Sequence, residues 1–168
     1  MHEQSTLRGP GGDSFRGNRA IDAGVAFSGM TSDRELYNEL ACYTLAHTDP
    51  AFLHQHIVDA FAAQHVDENS KPIGVVFALV GLYLFVEKGF TGRQVRRFHM
   101  QLARQRKQWP RLTPPKDRGT ITVLEVLASP PGLPRDDRIR AWCASACEAW
   151  GAVRNQIKEL VKAELNID

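Results

Sequence analysis

Residues 72–86 read PIGVVFALVGLYLFV: fifteen positions without a charge, interrupted only by two glycines. As a helix this run is about 22 Å long. That falls short of the ~30 Å hydrocarbon core of a bilayer, so it predicts a buried central helix and no membrane span. Apolar on nearly all sides, it needs other helices around it. Gly74 and Gly81, seven apart, fall on one face and predict a close approach there.

Outward from this helix, local signals place its neighbours. Ser32 and Glu35 form a reciprocal capping box that opens a helix to about His47, with Leu36, Leu40, Tyr43 and His47 on one stripe. Asp49-Pro50 predicts the start of a second helix running to His65, antiparallel to the first. The central helix is expected over 70–87, ended by Gly89 in a left-handed C-terminal position. Thr91 and Gln94 open a fourth helix, expected to reach Trp109 before Pro110. Thr122 and Glu125 open a short fifth over 122–128. A last helix is expected from Asp136 to Leu165, with Ile139, Trp142, Ala146, Trp150, Val153, Ile157 and Leu160 as its seam. The seam's next step lands on Glu164, which predicts a frayed final turn. No stretch has the alternation of a strand. The fold class is all-α: a single bundle of about five or six helices over 31–168.

Residues 1–30 hold six of the thirteen glycines and no sustained period, which predicts a flexible tail. Met30 stands directly before the first helix signal, so 1–29 reads as an upstream extension. Three cysteines, Cys42, Cys143 and Cys147, form no CxxC pair, and no secretory signal is present, which points to the cytosol. Cys143 and Cys147, four apart on one helix, fit a packing seam better than a shared metal. No phosphate-binding glycine loop or nucleophile elbow occurs, so the sequence leaves enzyme and binding protein both open.

Four of the six histidines lie in YTLAHTDPAFLHQHIVDAFAAQH, residues 43–65. At about 100° per residue, His54 and His65 fall with Ile57, Val58 and Phe61 on the apolar stripe. His56 and Asp59 fall opposite, as a surface pair three apart. His99 shares a face with Val95, Phe98 and Leu102. By helical rise His47, His54, Glu87 and His99 lie toward one end of the bundle, and His65 at the other. Imidazoles and a carboxylate converging from facing helices would ligate a divalent metal such as zinc, or work as an acid–base pair. Packed histidines at a core rim are the commoner case.

Residues 88–118 carry ten Lys/Arg against one acidic residue, a net +9 in a chain of +2, leaving −7 for the rest. Arg93, Arg96, Arg97, Arg104 and Lys107 lie off the apolar stripe of the fourth helix, with Arg106 on the stripe side extending to solvent. Such a face is more often solvated, or paired with acidic residues elsewhere, than engaged with nucleic acid or another polyanion. The seam around Trp142 and Trp150 offers a second interaction surface, for a homodimer.

The segments YTLAH, DPAFLHQHIVDAFAAQ, KPI, LVGLYL, VEKGFTGRQV and WP resemble an uncharacterised family of small bacterial helical proteins over roughly residues 35–150. The resemblance implies the helical fold and no established activity. In that family a histidine often stands where this chain has Phe85, which would leave a family metal site short of a ligand here.

Overall fold

The computed structural model describes residues 32–47 and 49–167. The expected tail, and the start proposed at Met30, lie outside them. Among the described residues there are seven α-helices: α1 Asp33–Ala46, α2 Leu53–Gln64, α3 Pro72–Lys88, α4 Gly92–Gln105, α5 Val123–Ala128, α6 Leu133–Ala149 and α7 Arg154–Leu165. No strand occurs among the described residues. The architecture is all-α as expected, with more helices than five or six.

The central helix is central. α3 packs against α2, α4, α6 and α7, and nine of its residues from Val75 to Leu84 are buried. Its C-terminus closes as expected. Gly89 is left-handed (φ 70°), and the Gly89 and Phe90 N–H groups donate to the Phe85 and Leu84 carbonyls. All three capping boxes form: Ser32 with Glu35, Thr91 with Gln94, and Thr122 with Glu125.

Other boundaries differ, each for a local reason. α2 starts at Leu53, not Pro50, because Asp49 caps a turn first. Its two carboxylate oxygens accept the Ala51 and Leu53 N–H groups at 2.8 and 2.7 Å. Phe52 then takes a left-handed backbone (φ 56°), a conformation that costs a non-glycine residue about 1–2 kcal/mol. The neighbour explains it. The Gly92 N–H donates to the Ala51 carbonyl at 2.6 Å, and a β-carbon at Gly92 would overlap the Phe52 carbonyl oxygen.

α4 ends four residues early. Arg106 turns back, donating from Nε to the Gln108 carbonyl and from Nη1 to Glu164 at 2.7 Å. This ion pair corrects two expectations. Arg106 is half-buried rather than extended to solvent, and the last turn holds its helix to Leu165, closed by left-handed Asn166.

The expected single last helix breaks at Trp150, and a 3-10 turn over Gly151–Val153 separates α6 from α7. Thirty residues of straight helix would run about 45 Å. The break lets α6 cover α2, α3 and α5 while α7 covers α3 and α4. Trp150 anchors the bend: its Nε1–H donates to the Ala63 carbonyl at 3.1 Å. Trp142 and Trp150 are both inside the core, so this seam offers a second copy no tryptophan surface.

Gln64 ties the remaining loop down. Its Oε1 accepts the Trp142 indole N–H at 2.7 Å. Its Nε2 donates to the Arg118 and Ile121 carbonyls at 2.9 and 2.8 Å. One side chain thus joins α2, α6 and the segment entering α5. No helix among the described residues is long and apolar enough to cross a membrane.

Candidate functional site

The four residues expected to converge do not meet as one group. His47 bonds the Tyr43 carbonyl through Nδ1 at 2.7 Å. His54 shares a 2.9 Å hydrogen bond with the Thr44 hydroxyl, and burial lowers its pKa. Both rings therefore attach to the last turn of α1. Glu87 is clamped by Arg154 of α7, through Nε at 2.6 Å and Nη2 at 2.8 Å. His99 stacks on Phe77 with ring centroids 4.8 Å apart.

Phe77 and Glu87 stand ten residues apart on α3, about 15 Å by helical rise. By residue 99, α4 has already run back along α3, away from the Glu87 end. Among the described residues, no group of three or more His, Cys, Asp or Glu side chains is placed to hold a metal ion. The expected His47, His54, Glu87, His99 constellation does not assemble in this arrangement.

The buried histidine of α2 is a different one. His56 is 1% exposed and Asp59 3% exposed, which corrects their reading as a surface pair. The inner face of α2 carries Leu53, His56, Ile57, Asp59, Ala60 and Ala63. The larger residues Val58 and His65 are more exposed. Small side chains decide this. Ala60 and Ala63 let α2 close on its neighbours, and Gly81 of α3 receives Asp59, since a β-carbon there would overlap the carboxylate. Gly74 has nothing near it and plays no such part.

The polar groups of this face are under-bonded. His56 stacks on Phe85 at 3.7 Å, and neither ring nitrogen has a partner. Asp59 accepts one bond, from Gln55 Nε2 at 3.1 Å, and its Oδ2 has none. Desolvation sets their charge states. It pushes the Asp59 pKa well above the usual carboxylate range. It brings His56 down to about 4. His99, 8% exposed, also falls to about 4, with the Phe77 backbone partly offsetting burial. These are neutral groups in a core.

Cys143 donates its thiol to the His56 carbonyl at 3.6 Å, and burial raises its pKa. Cys147 is pushed up to about 11 by the same cause. Both are packing residues.

The outer face of α4 is the opposite case. Val95, His99 and Leu102 face the core, while Arg93, Arg96, Arg97, Arg104 and, beyond the helix end, Lys107 are exposed. None of these five cations has an ion-pair partner among the described residues: the salt bridges of the structure involve His65, Arg106, Arg138, Arg140 and Arg154. Of the basic block, Arg106 finds its acidic partner in Glu164, while these five find none among the described residues. At about 100° per residue, Arg93, Arg96, Arg97 and Arg104 fall within about 100° of one another, around exposed Met100. The stripe extends about 16 Å along the helix.

A helical bundle with one strongly cationic helix face and a neutral polar core is the class that fold and surface define. Within that class, the chain belongs to a family of unknown function (DUF5946), matched over residues 31–151. No curated protein and no solved structure matches it.

Proposed function

We propose that this protein is a binding module whose α4 docks on the phosphate backbone of nucleic acid without reading base sequence. The observation that carries this reading is the row of four exposed arginines on the face of α4 opposite the core, with exposed Lys107 just past the helix end, none of them with an ion-pair partner among the described residues. A cation with an internal partner has little left to offer a ligand, whereas these five keep their full charge for phosphate. Their linear array suits a linear polyanion, and each phosphate neutralised releases condensed counterions. Guanidinium groups match phosphate oxygens in two-pronged fashion. No aromatic ring lies on the stripe to stack with bases, which favours backbone contact over readout. The −7 carried by the rest of the chain repels a polyanion elsewhere and turns α4 toward it.

Fluorescence anisotropy with a labelled random-sequence duplex, titrated from low to high salt, tests the reading. The expected result is a log–log salt slope of roughly −3 to −4, at about −0.9 per phosphate contacted. Absence of binding at low salt, or binding indifferent to salt, contradicts it. Capture of an acidic peptide in place of the duplex would move the surface to a protein partner.

A further inference from the structure

A cavity of about 410 Å³ lies between the α2–α3 turn and the segment that follows α4, within the range of small-molecule sites. Asp67 and Glu68 line it from the α2–α3 turn, and Arg111 and Arg118 from the other segment. No ion pair joins the two sets. Opposite charges thus share one hollow with a gap between them. Buried Val66 and Val75 add apolar wall.

Asp67 accepts the Asn69 N–H at 3.0 Å and the Ser70 hydroxyl at 2.7 Å, which hold its carboxyl below the usual range. A guanidinium stays protonated. Arg118 is also short of an acceptor, because its Nη1 is buried with no hydrogen-bond partner. A buried donor left unmet costs about 1–3 kcal/mol.

The hollow is prebuilt. Gln64 holds the Arg118 and Ile121 carbonyls. The Thr120 N–H donates to Ser145 Oγ at 2.7 Å. Pro72 and Pro114 stiffen the two walls.

The geometry points to a binding site for a short free peptide: its carboxylate on Arg118 and Arg111, its ammonium on Glu68 and Asp67, and an apolar side chain against Val66 and Val75. A single amino acid holds its two charges on one carbon. A dipeptide or tripeptide separates them by about 3.5 Å per residue, which spans charges that no ion pair closes. This inference uses none of the α4 cations, so it stands or falls apart from the nucleic-acid reading.

Isothermal titration of the full chain with Leu-Leu, its N-acetyl form and its C-terminal amide tests the site, alongside Glu68→Gln and Arg118→Gln. Saturable binding of Leu-Leu at about 1 mM or tighter is expected, weakened at least about tenfold by blocking either terminus or by either substitution. Glu68 is exposed, so its variant reports on binding even where Arg118→Gln disturbs the loop. No saturable heat up to about 10 mM, equal affinity for the blocked forms, or unchanged affinity in Glu68→Gln would overturn the inference.

Discussion

The inner face of α2 and the outer face of α4 both carry polar side chains without partners, and they carry them in opposite circumstances. On α2, His56 and Asp59 are buried and under-bonded, so desolvation strips their charge. On α4, Arg93, Arg96, Arg97 and Arg104 are exposed and have no ion-pair partner among the described residues, so water keeps their charge intact and available. An unmet polar group inside is a liability for stability. Outside, it is capacity for a ligand. The same deficit of partners therefore points to the core in one helix and to a binding surface in the other.

The largest effect expected from this contrast is on the acid side. His56 and His99 titrate near 4 in the fold against 6.5 in the open chain. A depressed histidine pKa means that the unfolded chain takes up protons first. Stability is therefore complete above about pH 6.5 and falls as pH drops toward 4. Each ring contributes on the order of 1.4 kcal/mol per unit of pKa difference. Denaturant midpoints measured from pH 7 to pH 4 check this. His56→Leu should flatten the fall, whereas an unchanged acid limb would place His56 in contact with water.

Next in size is the fit between α2 and α3. Gly81→Val puts a branched side chain where the Asp59 carboxyl sits, and the cost is about 3 kcal/mol by urea unfolding. Adding Asp59→Ala should recover part of that loss, because the two positions share one space. Additive losses would mean that they do not touch.

A smaller change, of opposite sign, is expected at alkaline pH. The Asp59 pKa is raised in the fold, so its contribution is present while the carboxyl stays protonated and is lost as pH rises through that pKa. Asp59→Asn keeps the shape and cannot ionise. It should be more stable than the parent by about 1–3 kcal/mol at pH 9, with the difference shrinking as pH falls. Equal stability at pH 9 would show the carboxylate to be solvated.

The two helices also differ in how much their sequences disclose. α4 has a capping box, large apolar residues on one side and arginines on the other, so its buried and cationic faces are both legible. On α2 the bulky residues mislead. Phe61 does reach the core, but Val58 and His65 lie toward the edge, because Ala60, Ala63 and Gly81 permit an approach too close for large side chains. The pairing of small residues on α2 with a glycine on α3 was the available signal. Helix ends set by hydrogen bonds within a few residues were readable, as at Ser32, Gly89, Thr91 and Thr122. Ends set by distant neighbours were not: Phe52 answers to Gly92, Arg106 to Glu164, and the α6–α7 break to the packing of Trp150. The place of His99 was hidden for the same reason, since stagger between α3 and α4 sets it against Phe77 rather than near Glu87. Gln64 and Arg118, both central to the 106–122 segment, depend on contacts that no local pattern announces.

Substituting glutamine for arginine at 93, 97 and 104 together, then measuring duplex affinity against salt and unfolding in the same preparation, tests the central claim most directly. The expected result is stability changed by no more than about 0.5 kcal/mol per site, weakened duplex binding at low salt, and a log–log slope shallower by about 2 to 3. Affinity and slope that match the parent protein would show that the cationic face of α4 is only solvated.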